Sequence, residues 1–472
     1  MSDICFTAAT ELAARLRGGE ISAEEVTRAF IAQVERVNPA MNAIVTFVPE
    51  QAIAQARALD ATPRERWGPL AGLPIACKDL IPTKGIRTTQ GSPIFAHNVP
   101  TEDHVMVERL RGAGAILVGK TNTPEFGAGS QTFNAVFGAT RNPFDPDRTC
   151  GGSSGGAAVA VACGMLPFAD GSDFGASLRN PGNFCNVVGF RPTPGRVPTY
   201  PAADVWSTWS VLGPLARSVQ DAALLLSAIA GPDLRSPITI DEPGDVFRRP
   251  LQRDVRGLRI AWSRDLGGLP VDARVVKVLE AQREVFASLG CVIEDAEPDL
   301  AGADEAFHVL RAVSFADRFA PLLEKHRGEL KDTVLWNVEE GLRLSGPQVG
   351  RAIALRSAVY TRMRKFMERH DFLVLPVNQV VPFPLEDEYP REIAGVKQDN
   401  YLDWMRTCSR ITATSHPAIS VPAGFTDDSP ALPVGIQIVG RHRDDFGVLQ
   451  LAHAFEQATR VGQRRPPGLG KL

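Results

Sequence analysis

The chain has 472 residues, 51 Lys+Arg against 54 Asp+Glu, a net charge of −3 and 44% hydrophobic residues, the composition of an ordinary soluble globular protein. That near-neutral balance lacks the basic excess that phosphate neutralisation demands, so no direct nucleic-acid ligand is expected and a small-molecule substrate is. The longest apolar run, residues 157–169, falls short of the ~18 residues of a membrane helix and is broken by Gly164 and Pro167; no secretory leader is expected, and the seven cysteines form no C-x-x-C pair. A cytoplasmic protein with reduced thiols, no membrane segment, no disulfide framework and no zinc knuckle is the expectation.

Residues 1–65 read as helical. Ser22-Ala-Glu-Glu25 is a capping box before the amphipathic run 26–37, and Pro39 is expected to stop that helix. The apolar segment 73–77 predicts a strand that delivers Lys78 and Asp79 at its end. A helix over 102–113 and a strand over 115–118 follow, and strands flanked by helices predict a sheet covered on both faces. From Gly112 to Gly195, 16 of 84 residues are glycine, against 42 in the whole chain, and between Thr149 and Leu178 the only charges are Asp170 and Asp173. Interleaved with Ala-Ala-Val-Ala-Val-Ala, this stretch is no flexible linker. It reads as buried backbone, packed tightly or with amides free to face a ligand. Residues 155–163 predict a buried helix and 165–170 a strand. Residues 233–255 read as a surface crossing, 258–263 as a strand, 275–289 as an amphipathic helix and 301–370 as helical. Strands are predicted again over 372–376, 418–422 and 434–439, with no internal repeat.

Three motif matches need weighing. Gly114-Ala-Ile-Leu-Val-Gly-Lys-Thr121 fits the P-loop pattern, but its central residues are a strand interior, where a phosphate-wrapping loop is required. His442-Arg-Asp-Asp-Phe-Gly447 joins two kinase motifs that a kinase keeps on separate loops. Gly151-Gly-Ser-Ser-Gly155 fits the nucleophile elbow of Ser-His-Asp hydrolases, with His416 or His453 as the candidate base, but a polar loop precedes it where a strand is needed.

A three-part constellation survives: Lys78 in Cys-Lys-Asp-Leu, Ser153 in Cys-Gly-Gly-Ser-Ser-Gly-Gly, and Ser177 in Gly-Ser-Asp-Phe-Gly-Ala-Ser-Leu-Arg-Asn-Pro. With these segments the sequence resembles the amidase signature family of Ser-Ser-Lys hydrolases. The resemblance extends through Gly119-Lys-Thr-Asn-Thr-Pro-Glu-Phe126, Gly138-Ala-Thr-Arg-Asn-Pro143, Val188-Gly-Phe-Arg-Pro-Thr-Pro-Gly-Arg-Val197, His416-Pro-Ala-Ile-Ser-Val-Pro422 and Leu432-Pro-Val-Gly-Ile-Gln437, in family order over nearly the whole chain. It implies a single α/β/α domain over residues 1–472 with a central mixed β-sheet covered by helices, a core at 66–230 and a helical cap at 300–400. It further implies Ser177 as nucleophile, Ser153 as a bridging serine at a cis peptide, and Lys78 as base. Ser154, Asp173 and Arg179 are implied as structural support, and the loop Gly127-Ala128-Gly129 as part of the substrate site.

Physical chemistry makes the assignment reasonable. A serine hydroxyl is a weak nucleophile that needs a base, and a lysine serves once burial lowers its pKa from ~10.4 toward ~7–8. A close Asp79 would oppose that, although adjacent residues of a strand point to opposite faces. The backbone of Phe174, Gly175, Ala176 and Ser177 is expected to form the oxyanion hole. Ala176 departs from the family's usual second glycine and forbids free use of positive φ. Aromatics near these segments, among them Phe174, Trp206 and Trp209, suggest an apolar or aromatic amide, and the same triad suits carbamates and urethanes. No cofactor and no metal is expected, and the protein is expected to be a monomer or homodimer. The rival functions are the glutaminase-type subunit of a tRNA-dependent amidotransferase, a Ser-His-Asp esterase and a catalytically idle binding protein.

Overall fold

Apolar runs near the beginning of the chain build a small sheet. Its strands β1 (Ile44–Phe47), β2 (Pro74–Lys78) and β3 (Ile116–Thr121) lie in the order β1-β3-β2, with β2 parallel and β1 antiparallel to β3. Every residue of β2 and β3 is buried, which is why both begin as continuous apolar runs with no alternation before ending in Lys78 and in Lys120-Thr121. The structure, a computed structural model, describes residues 2–469.

The central mixed sheet has eight strands. They are β4 (Phe168–Asp173), β5 (Val188–Arg191), β6 (Val211–Ala216), β7 (Arg259–Trp262), β8 (Val292–Asp295), β9 (Phe372–Pro376), β10 (Ala418–Phe425) and β11 (Pro433–Gly440), in the spatial order β8-β7-β9-β11-β10-β5-β6-β4. Strand β7 pairs in parallel with β8 and β9, and the remaining neighbours are antiparallel. Lys78 therefore belongs to the smaller sheet. At the seam β2 packs along edge strand β4, and both carboxylate oxygens of Asp170 accept from the backbone N–H of Lys78 at 3.3 Å. A side chain thus satisfies an amide that a neighbouring strand would otherwise have taken.

Local signals place most helices. Ser22 caps the Ala23–Met41 helix, and the reciprocal bonds with Glu25 of a full capping box are present. Pro39 does not stop this helix. It is exposed in the last turn, where its missing N–H costs one bond, and Asn38 ends the helix by accepting from the N–H groups of Ala43 and Ile44. The 275–289 segment is interrupted at Gln282, giving helices Ala273–Ala281 and Arg283–Ser288. The 301–370 region folds as helices Ala303–His326, Asp332–Leu342 and Gly346–Phe366. The first two bury Phe315, Phe319, Val334 and Val338 against Phe126 and Ala128.

The glycine-rich stretch is interior, with every residue from 149 to 171 buried. Gly156 shows the reason for the composition: a Cβ there would lie 2.4 Å from the Asn122 nitrogen and 2.6 Å from the Ala43 oxygen. Only a bare backbone lets the Gly155–Ala162 helix approach the small sheet so closely. All seven cysteines are free and buried, and among the described residues no helix is long and apolar enough to cross a membrane.

Candidate active site

Lys78 ends β2 fully buried, with its ammonium nitrogen among three hydroxyls. Nζ lies 2.7 Å from Ser153 Oγ, 2.9 Å from Ser154 Oγ and 3.0 Å from Ser172 Oγ. Burial lowers its pKa to about 7, against an opposing pull from the carboxylates of Asp170 and Asp173. Asp79 plays no part in this, because its carboxylate faces away and accepts from the N–H and hydroxyl of Thr89.

Ser153 follows the cis peptide Gly152–Ser153 and leads into the Gly155–Ala162 helix. Ser177 sits on the turn after β4, and the two serines border one cavity of about 430 Å³, a volume suited to a small organic substrate. Phe174, Gly175 and Ala176 continue the same wall. Among the described residues, the amides of Gly175, Ala176 and Ser177 have no protein acceptor, so three successive donors remain available at the cavity. Ala176 brings no backbone strain, since its φ is not positive, and its methyl group packs in the apolar cluster with Phe184 and Trp209.

Beneath this turn lies a buried ionic cluster. Asp173 accepts from Leu178 N at 3.1 Å, from Arg179 Nε and Nη2 at 3.1 and 3.0 Å, and from Arg191 Nη1 at 3.3 Å. Burial pushes its pKa up, but the two guanidinium groups outweigh that and hold it at about 2. Arg179 also donates to Gly175 O, Cys408 O, Thr412 Oγ1 and Gln437 Oε1, which ties the serine turn to the Arg406–Ala413 helix and to β11.

The remaining candidates separate. Gly127 and Gly129 border the cavity. Gly127 has φ +72°, and a Cβ there would lie 3.1 Å from Leu80 Cδ1 and 3.5 Å from Ser153 Oγ. Ala128 instead turns into the apolar cluster of Phe126 and Phe315. Trp206 requires correction. Its backbone N–H donates to Asp204 Oδ1 in a tight turn that projects the indole outward, 70% exposed and off the cavity wall. Trp209 also misses the wall: it stacks behind Phe174 at 5.7 Å and 11°, with the Arg356 guanidinium 4.0 Å from its other face.

His416 and His453 do not border the cavity. Nδ1 of His416 lies 2.8 Å from Thr414 O, and that of His453 lies 3.9 Å from Glu456. His104 does border it, but its Nδ1 caps a helix by accepting from Met106 N, and burial lowers its pKa to about 4. The lysine of the rejected P-loop match, Lys120, is buried and donates to Ile81 O and Thr83 Oγ1.

A family model described as Amidase matches residues 25–449. The chain belongs to the amidase signature family. It is 39% identical over 466 residues to an acylamidase of Rhodococcus erythropolis, covering 98% of this chain and 97% of that protein. It is also 38% identical over 490 residues to a glutamyl-tRNA(Gln) amidotransferase subunit of Moorella thermoacetica, covering 98% and 99%. The crystal structure of a bacterial aryl acylamidase of the amidase signature enzymes superposes with a TM-score of 0.90 at 30% identity, covering 97% of each chain. The protein is thus a hydrolase of carbon–nitrogen amide bonds.

Two residues of this amidase's site escape a reading of the sequence. Asp170 and Ser172, two positions apart on β4, point to the same side and meet the backbone N–H and the Nζ of Lys78 respectively. The signal was the period-two spacing of Asp170 and Ser172, which places them on one face of the strand, while Asp173 falls on the other.

Proposed function

We propose that this amidase hydrolyses small amides with an apolar or aromatic portion through Lys78, Ser153 and Ser177, and that carbamates fit the same chemistry. The observation that carries the reading is the 2.7 Å hydrogen bond between buried Lys78 Nζ and Ser153 Oγ. As an ammonium, Nζ donates to all three hydroxyls. As a neutral amine it has two N–H groups and a lone pair, so one hydroxyl must reverse and donate; Ser153 is the nearest and borders the cavity. Ser153 then takes the proton of Ser177, whose oxygen attacks the carbonyl. The developing oxyanion accepts from the free amides of Gly175, Ala176 and Ser177, a contribution of roughly 10²–10³-fold per donor. The relay returns a proton to the leaving amine, and water cleaves the acyl-enzyme.

The test is amine release from a panel of aliphatic amides, anilides, carbamates and glutamine. Wild-type protein should turn over anilides and take a fluorophosphonate label, and Ser177→Ala should do neither while melting normally; retained hydrolysis in that variant removes Ser177 from the mechanism. A second reading, the glutaminase-type component of an amidotransferase, draws on the 38% identity to such a protein. Turnover confined to glutamine, with copurifying partner subunits, replaces the first reading by this one.

Asp170 supplies a pH prediction. Its carboxylate favours the ammonium form of Lys78, so Asp170→Asn lowers the lysine pKa further. The free base then exists at lower pH, and the rising limb of the kcat/KM–pH profile should move in the acidic direction. An unmoved limb shows that Asp170 does not act on the base.

A further inference from the structure

Four arginines are buried among the described residues: Arg179, Arg191, Arg196 and Arg311. The first two share Asp173 and the third pairs with Asp445. Arg311 alone has no carboxylate within 4.0 Å, and of the four it alone borders the catalytic cavity. The other charged residues on that wall, Asp204, Asp317 and Arg318, are exposed.

The protein leaves Arg311 incompletely satisfied. Nε and Nη2 donate to the Tyr401 hydroxyl at 3.1 and 2.8 Å, a neutral oxygen that also accepts from Asn337 Nδ2 at 2.7 Å. Among the described residues Nη1 has no hydrogen-bond acceptor. The guanidinium carbon lies 4.6 Å from the Phe315 ring centroid, 5.3 Å from that of Phe174 and 5.7 Å from that of Tyr401. Ring faces offset part of the cost of desolvating a cation, but they supply no counter-charge, and an unpaired buried ion strongly favours an anionic partner. Phe174 stands three residues before Ser177, so this cation is one ring removed from the serine turn.

We propose that Arg311 binds a carboxylate of the substrate, so that the preferred amides carry an anionic group a few bonds from the scissile carbonyl. This deepens the function proposed above and rests on it. A planar guanidinium suits a carboxylate through paired N–H donors, while the surrounding rings accept the apolar remainder of the molecule. The carboxylate can belong to the acyl part or to the amine part, and the two sources are separated by experiment.

Wild-type enzyme is assayed at low ionic strength with pentananilide, glutaric acid monoanilide and N-pentanoyl-4-aminobenzoate, which carry no carboxylate, one on the acyl side and one on the amine side. One of the two anions should exceed the neutral anilide in kcat/KM by roughly 10–100-fold, mainly through KM, as a charge-assisted hydrogen-bonded pair provides. Arg311→Met should collapse that ratio toward one, and Arg311→Lys should retain part of it. Hydrolysis of pentananilide with no preference for either anion overturns the Arg311 assignment alone, as does a ratio that survives Arg311→Met. Should Arg311→Met fail to fold, the wild-type ratio and Arg311→Lys decide. No turnover of any anilide together with no fluorophosphonate label on Ser177 overturns the underlying amidase mechanism instead.

Discussion

Lys78→Ala lowers kcat/KM for amide hydrolysis by roughly 10²- to 10⁴-fold, and the residual rate no longer rises between about pH 6 and 9. The reason lies in where this lysine sits. Its side chain is wholly buried, it has no carboxylate in ion-pair contact among the described residues, and burial brings its pKa to about 7. Near neutral pH a substantial fraction is therefore free amine, the form able to accept a proton from Ser153. Lys78→Arg should not rescue activity, because a guanidinium stays charged at every accessible pH. Lys78→Met keeps most of the volume and separates loss of the base from loss of packing. pH–rate profiles of the three variants, with thermal melts alongside, make the measurement. A rising limb that persists in Lys78→Ala assigns the titrating base elsewhere.

The second large effect is on stability. Asp173→Ala should cost about 3–5 kcal/mol, the usual penalty for breaking a buried ion pair from one side. The carboxylate is the common partner of two fully buried guanidinium groups, and removing it leaves Arg179 and Arg191 facing one another with no anion between them. It also releases the N–H of Leu178, directly after the serine turn. Activity should therefore fall even below the denaturation midpoint. Urea unfolding measures the first consequence and kcat/KM in native buffer the second. A loss under about 1 kcal/mol shows that water or backbone carbonyls replace the carboxylate.

Sequence carried the parts of this site that are local. The Ser22–Glu25 capping box, the apolar strand ending at Lys78 and the Gly/Ser segments around Ser153 and Ser177 are each defined by neighbours in the chain, and each forms as read. Pro39 misled because the cost of a proline depends on which turn of the helix it occupies and whether that turn faces water. The two tryptophans misled for a different reason. Three residues apart in one loop, they meet opposite surroundings, one in solvent and one beneath Phe174, and nothing in their composition separates them. Ser172 was missed because its partner lies 94 residues away and becomes visible only when β4 is placed beside β2. Arg311 is further from reach still. A cation on an amphipathic helix is unremarked in sequence, and its lack of a counter-ion is a property of everything packed around it.

The seam at Asp170 bears on how this enzyme fails. The candidate base comes from one sheet, the candidate nucleophile from the turn after the edge strand of another, and the facing wall from the Ala303–His326 helix. No contiguous fragment therefore holds the proposed reaction, and the approach of Lys78 to its hydroxyls depends on the docking of two sheets that share no backbone ladder at their junction. A disturbance that leaves both sheets intact but lets them slide by an ångström would separate Lys78 from its hydroxyls while most of the hydrogen bonding survives. Catalysis is accordingly a more sensitive gauge of that junction than any spectroscopic measure of secondary structure.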